Sequence, residues 1–295
     1  MEYMSVSQVA KILGLADRTV RNYCKSGKIP GAYIVGKTWN IPKSSVEAYT
    51  IGSKSPEGRL LQILREQKEI NLSGGIYHKT QVELTYNSNH IEGSTLTHDE
   101  TRYIFETNTI GTSNGSTNVD DIVETANHFR CVDYIIDHAT DVISEDMIKM
   151  LHFMLKNGTS DSRLDWFNVG EYKKLPNEVG GRETCSPEGV QSAIAQLIKQ
   201  YYAKDVIGLE DIIDFHVQFE TIHPFQDGNG RVGRLLMFKE CLAHNIVPFI
   251  IDEAHKMFYY RGLSEWNNER GYLVDTCLSC QDMYKAWLEY FKISY

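Results

Sequence analysis

No stretch of this 295-residue chain approaches the roughly 18 consecutive apolar residues of a membrane-crossing helix. Its opening, Met1-Glu2-Tyr3-Met4-Ser5, carries neither the charged nor the apolar segment of a secretory leader, so the expected location is cytoplasmic. A disulfide framework is missing too: the six cysteines, at 24, 131, 185, 241, 277 and 280, are scattered in the manner of reduced thiols. Cys277 and Cys280 form one CxxC pair without a second, so a redox or metal site is the lesser reading of it. Tandem repeats and low-complexity tracts are absent. So is a general excess of positive charge, the net charge being −9. The basic charge that exists is gathered at one end. The first fifty residues hold seven Lys/Arg against three acids, and the remainder holds 23 against 36. Only the first part is therefore expected to meet nucleic acid. The length leaves room for two domains, one of them with a sizeable core.

The basic part reads as helix, turn, helix and hairpin. Residues 4–14 form a short amphipathic pattern, with Ser5 or Ser7 as cap and Gly14 as stop. A second helix is expected from Asp17 to Gly27, with Arg18, Thr19, Arg21 and Asn22 outward and Val20 and Tyr23 inward. Alternation from Ala32 to Pro42 around Gly36-Lys37 predicts a hairpin, and residues 44–49 a closing helical turn. Over almost all of residues 3–50 this stretch resembles the excisionase/MerR-like winged helix-turn-helix family. The resemblance implies that Arg18, Thr19, Arg21 and Asn22 enter the DNA major groove, while Lys37 near the wing tip touches phosphate. So small a module makes few phosphate contacts, which points to a homodimer as the binding form. The alternative is a basic face used for protein contacts. Residues 1–51 are read as this domain, the Gly-, Ser- and Pro-containing stretch 52–58 as a linker, and 59–295 as a second domain.

The second domain is expected to be helical almost throughout. Apolar spacing predicts helices near 60–70 and 77–90, and Thr97 with Glu100 forms a capping box that opens another. Further starts are read at Asn118, at Ser144, at Ser186-Pro187 and at Leu209, the last delivering the chain to residue 223. Three more helices are expected near 231–243, 253–266 and 273–291. Residues 167–181 are the exception: rich in turn formers, they are expected to make a short hairpin or loop.

The chemistry concentrates in His223-Pro-Phe-Gln-Asp227-Gly228-Asn229-Gly230-Arg231-Val-Gly-Arg234. Glycines open backbone N–H groups to a close anion, and a helix starting here adds partial positive charge. Arg231 and Arg234, three apart, are expected to face that anion together. An imidazole lies beside them, and the Asp227 carboxylate is suited to Mg²⁺ shared with phosphate oxygens. Phosphate handling beside a base is the reading.

The stretch matches the Fic signature HPFx(D/E)GNGRxxR at all nine specified positions, and the flanking helical pattern extends the resemblance over roughly residues 60–290. The resemblance implies a protein adenylyltransferase, which moves AMP from ATP to a Ser, Thr or Tyr hydroxyl of a target protein. By position, His223 is then the general base, Asp227 the Mg²⁺ ligand, Gly228, Asn229 and Gly230 the phosphate cradle, and Arg231 and Arg234 the neutralising cations. The kinase-like Doc branch has Lys where Gly230 stands, so Gly230 favours nucleotidyl over phosphoryl transfer. Residues 169–181 resemble the Fic flap, with Gly170, Tyr172 and Gly180 at flap positions. Tyr260 and Asn267 fall where the family holds the adenine and ribose.

A second motif bears on the first. Ser88-Asn-His-Ile-Glu92-Gly93 fits the family's inhibitory pattern (S/T)xxxE(G/N), and Ser88 and Glu92 share one face of a helix near 80–93. Gly93 is a fitting terminator. The resemblance implies that Glu92 pairs with Arg234 and leaves ATP in an unproductive pose. Three other readings stay open: a transcription regulator whose body only senses nucleotide, a glutamate-assisted removal of AMP, and transfer from another nucleotide donor. The overall expectation is a mostly α protein, an all-helical Fic domain with a short β-hairpin flap behind a small winged helix-turn-helix domain.

Overall fold

The computed structural model describes residues 3–13, 17–25, 29, 31–36, 38–43, 45, 58–111 and 116–295. The chain divides into two compact units, Met1–Pro56 and Glu57–Tyr295.

In the first unit, α1 (Val6–Leu13) and α2 (Asp17–Lys25) accompany a sheet of β1 (Tyr3–Met4), β3 (Thr38–Pro42) and β2 (Tyr33–Val35), in the order β1-β3-β2. The expected hairpin is β2–β3, registered Val35 opposite Thr38, and Gly36 takes the left-handed φ of 63° that a two-residue turn requires. Met4 belongs to a strand rather than to the first helix, paired with Ile41. Ser5, not Ser7, caps α1: its hydroxyl accepts from the Gln8 amide while the Gln8 side chain accepts from the Ser5 amide. The Ser7 hydroxyl instead donates to Asp17. Val6, Val9, Ala10, Val20, Cys24, Ile29 and Ile41 form the core of this unit. The stops expected at Gly14 and Gly27, the wing residue Lys37, the linker through residue 57, and all but Ser45 of the turn at 44–49 lie outside the described residues.

The second unit is a helical body: α3 (Arg59–Glu69), α4 (Ile76–Ile91), α5 (His98–Thr107), α6 (Val119–Asp137), α7 (Glu145–Lys156), α8 (Val190–Tyr201), α9 (Leu209–Ile222), α10 (Asn229–Ala243), α11 (Lys256–Glu265) and α12 (Gly271–Tyr290). A hairpin of β4 (Glu178–Val179) and β5 (Arg182–Glu183) interrupts it, turning at Gly180 and Gly181 with φ of 58° and 74°. The Thr97–Glu100 capping box forms, and Asn118 and Ser144 cap α6 and α7. Ser186 makes no capping bond; a 3-10 turn at Pro187–Gly189 precedes α8 instead.

The site is positioned by α10. Every residue of this helix except Gly230 is buried, and α9, α6, α4 and α7 pack around it. A helix covered on all sides has no solvent face for its charges, so Arg231, Arg234, Lys239 and Glu240 must find partners inside the protein. Lys239 and Glu240 do so with each other, at 2.5 Å, and Glu240 also accepts from the Tyr201 hydroxyl at 2.9 Å.

Several histidines lie in the same interior. Burial drives His128, His152 and His216 down to about 3, from the usual 6.5. Such a group takes up its proton more readily unfolded than folded. The contribution of these three groups should thus be full above about pH 6.5, and stability should fall as pH drops from there toward 3. Thermal melts of the full chain at pH 7, 6, 5 and 4 test this, and an unchanged Tm from 7 to 4 would contradict it.

Candidate active site

The stretch from His223 to Arg234 forms the end of α9, a tight loop and the first turns of α10. His223 closes α9 in the left-handed region, φ 50° and ψ 64°, a conformation that a non-glycine residue holds only under local constraint. The loop supplies that constraint. Phe225, fully buried, stacks at 3.9 Å on the His152 ring. The Asn229 carboxamide closes the turn by accepting from the Phe225 amide at 2.8 Å and donating to its carbonyl at 2.9 Å. Asn229 is thus spent on shaping the loop, and what it offers a phosphate is its backbone N–H. Gly228 begins α10 with φ 80° and no side chain caps that end. The first N–H groups of α10 therefore point at a ready anion site.

The His223 Nδ1 lies 3.3 Å from the Glu220 carbonyl, which accepts its proton and leaves Nε2 as the basic nitrogen. Burial is the main cause that lowers His223 to about 4, with the Lys173 ammonium adding to it and the Glu220 carbonyl, Glu92 and Asp227 opposing it. The imidazole is neutral at pH 7 and free to accept a proton.

The two arginines do not converge. Arg231 turns toward α6, donating to Glu124, and contacts Asp227 at 3.2 Å. Arg234 turns toward α4. Its Nε donates to the Ser88 hydroxyl at 3.0 Å, and its Nη2 to the Ser88 carbonyl at 2.9 Å and to Glu92 Oε1 at 2.6 Å. Gly93 follows Glu92 with φ 97° and ends α4, so the carboxylate stands on the last turn of that helix. Glu92 lies directly over Gly230, where an added Cβ would come within 2.2 Å of Oε1.

Lys156 was not singled out from the sequence, yet it is central. Its ammonium, almost wholly buried, reaches Asp227 at 2.6 Å and pairs with Glu124. Asp227 consequently titrates at about 2, burial being outweighed by Arg231 and Lys156. Both cations sit on Oδ2 of Asp227. Among the described residues no group of three or more His, Cys, Asp or Glu side chains is placed to hold a metal. The donor set fits a Mg²⁺ that arrives with phosphate oxygens as its other ligands, and does not fit a resident ion.

The turn-rich segment before the hairpin is fastened at two levels. Gly170, φ 79°, donates its N–H to His152 Nδ1 at 2.9 Å, and the Tyr172 hydroxyl donates to Glu145, so both anchor the segment on α7. Of the three expected flap residues only Gly180 sits in the hairpin itself. The Lys173 amide donates to the Pro224 carbonyl at 2.9 Å. Its buried ammonium bonds Asn177 and Thr184, while Asn177 donates to the Phe225 carbonyl at 2.9 Å. The hairpin strands, exposed throughout, are thereby held beside the loop that carries His223.

Of the two pocket residues expected downstream, Asn267 lies exposed in the turn after α11. Tyr260 donates its hydroxyl to the Ile91 carbonyl at 3.2 Å, so it touches the end of α4. Its neighbour Tyr259 is buried instead, bonded to His216 at 2.7 Å and set against Arg234. Glu220, one helical turn before His223, is a further carboxylate that spacing alone did not bring out. Its i−3 position from His223 on a helix was the available signal.

In the first unit, Arg18, Arg21 and Asn22 are exposed on α2 and Thr19 is half-buried, while Val20 and Cys24 face the core. Arg21 lies 3.6 Å from Asp17 across one exposed turn, a pairing too weak in water to withhold it from an outside phosphate.

The Fic/DOC family matches residues 142–241, and a helix-turn-helix domain family matches residues 3–50. The protein adenylyltransferase Fic of Aedes aegypti is 27% identical over 183 residues, covering 61% of this chain and 36% of that protein. That of Nematostella vectensis is 26% identical over 187 residues, covering 62% of this chain and 42% of that protein. The chain thus spans well under half the length of these relatives. A Fic-domain-containing signaling protein of Bacteroides thetaiotaomicron superposes with a TM-score of 0.61 at 24% identity, over 78% of this chain and 94% of that one. Fic-1 of C. elegans superposes at 0.60 with 20% identity, over 78% of this chain and 70% of that one. These two likenesses establish the fold. With the nine-position signature at the start of a buried helix, the protein carries a Fic domain behind an N-terminal helix-turn-helix domain.

Proposed function

We propose that this protein is an autoinhibited protein adenylyltransferase that transfers AMP from ATP to a hydroxyl side chain of a target protein and of itself. The observation that carries the proposal is the ion pair of buried Arg234 with the half-exposed Glu92 carboxylate, 2.6 Å apart, beside a neutral His223 at an uncapped helix start. His223 Nε2 would take the proton of the target hydroxyl as its oxygen attacks the α-phosphate, while the bond to pyrophosphate breaks. The open N–H groups of α10 would stabilise charge growing on the phosphates. Mg²⁺ bound at Asp227 would neutralise phosphate oxygens. The hairpin β4–β5, exposed along its edge, would pair with an extended segment of the target and present it to His223. Arg234 would hold the far end of the triphosphate, which it cannot do while Glu92 occupies its Nη2.

The relatives named protein adenylyltransferase support AMP as the group transferred. The first unit supports a DNA-binding role, with Arg18, Thr19, Arg21 and Asn22 as the groove-facing set.

Three outcomes are expected. Replacing Glu92 with Gly raises automodification by labelled ATP well above that of the unaltered protein; equal labelling would count against inhibition. In that background His223→Ala lowers transfer by about 10²–10⁴-fold, the usual worth of a general base, with ATP affinity largely kept; undiminished transfer would remove His223 from that role. Arg18→Ala and Arg21→Ala weaken salt-sensitive binding of the full chain to mixed-sequence duplex DNA, measured by fluorescence anisotropy. Affinity that ignores both salt and these changes would favour a protein-contact face instead.

A further inference from the structure

The Glu220 side chain has no part in the chemistry described so far, and its setting is unusual. It lies on α9, three residues before His223, with Oε2 3.7 Å from His223 Nδ1. Its other oxygen, Oε1, is buried and has no hydrogen-bond partner in the protein. The room for it comes from Gly233 on α10, where an added Cβ would stand 2.9 Å from Oε1 and 2.6 Å from His216 Nδ1. An unpartnered carboxyl group is a costly thing to keep in an interior. An apolar residue would spare that cost, and a glutamine the cost of charging the group, unless the charge is needed at one step.

We infer that Glu220 is a positioning residue for His223, whose carboxylate stabilises the imidazolium formed when Nε2 takes the proton of the target hydroxyl. The inference deepens the reading of His223 as the general base and rests on it. The proton balance is simple. The hydroxyl O–H bond breaks, an N–H bond forms at Nε2, and the positive charge spreads over a ring whose Nδ1–H already faces the Glu220 carbonyl and carboxylate. A negative charge at that distance in a dry site favours the protonated ring strongly.

The surroundings decide when that charge exists. Glu220 is faced by His216 and His223 on its own helix, by Arg234 from α10, by Tyr259 and Tyr260 from α11 and by Glu92 from α4, while Lys173 faces His223 from the loop. Burial raises Glu220 to about 8, Arg234 opposes that rise, and the Glu92 charge adds to it. Removing Glu92 therefore does two things: it frees Arg234 for phosphate, and it lets Glu220 ionise at lower pH. The inhibitory carboxylate would restrain the base as well as the phosphate site.

The test uses the full chain carrying Glu92→Gly, with and without Glu220→Gln, a near-isosteric change that should fold. Transfer is followed from pH 5.5 to 9.5 with ATP varied, and the His223 ring is titrated by NMR, assigned against His223→Ala. Expected for Glu220→Gln is a kcat lower by about tenfold or more above the pH where Glu220 ionises, with KM for ATP unchanged. The rise of rate accompanying that ionisation disappears, and so does the step in the His223 ring resonances that reports the same ionisation beside Nδ1. An identical pH profile and identical ring resonances in the two proteins would overturn the inference. A kcat loss with no such step in the Glu92→Gly parent would do so too, assigning Glu220 a packing role. No transfer even in the Glu92→Gly protein would instead strike at the adenylyltransferase reading, and the NMR titration would still decide the role of Glu220.

Discussion

A guanidinium in a dry interior cannot shed its charge, so it must always have an anion. That constraint governs this Fic domain. Arg234 sits on a helix buried on every side, and Glu92, Ser88 and Tyr259 surround it. Leaving a buried charge without its partner typically costs about 3–5 kcal/mol. Whatever displaces Glu92 has to bring negative charge of its own to the same place. A triphosphate is such a group. Under the proposed function, inhibition and substrate binding would be two ways of meeting one electrostatic requirement.

The same logic organises the opposite side of α10. Arg231, Lys156, Glu124 and Asp227 form an alternating set of charges drawn from α10, α7, α6 and the loop. It pins the start of α10 against two neighbouring helices and holds Asp227 ionised. Under the proposed function, a metal brought in with phosphate would meet a carboxylate that is already deprotonated and already oriented. The hairpin segment follows suit: beyond its anchors on α7, Lys173 and Asn177 tie it to backbone carbonyls at the end of α9 and in the loop.

Much of this was legible in the sequence. The signature residues, the Ser88–Glu92 spacing and the Thr97–Glu100 box are local patterns, and local patterns survive folding. The hairpin was legible for the same reason, although its second strand runs on to Glu183. What escaped was contributed from far away along the chain. Glu124 and Lys156 meet Arg231 and Asp227 across 107 and 71 residues, a pairing that no window reveals. The two arginines were expected to face one anion because they lie three apart. Although only about 60° apart around the helix, they reach different neighbours, because the acids that pair with them, Glu124 and Glu92, stand on opposite flanks. Asn229 was placed among phosphate ligands, whereas its side chain closes the turn. Strand β1 was hidden because two residues are too few to show alternation.

The backbone at His223 has a consequence of its own. At φ 50° folding alone would choose glycine or asparagine, since a side chain branching from that conformation gains nothing in comfort. The imidazole is there in spite of the geometry. Any variant that improves the chain as a folded object at this position does so by giving up the imidazole. Stability and the proposed chemistry pull this residue in opposite directions.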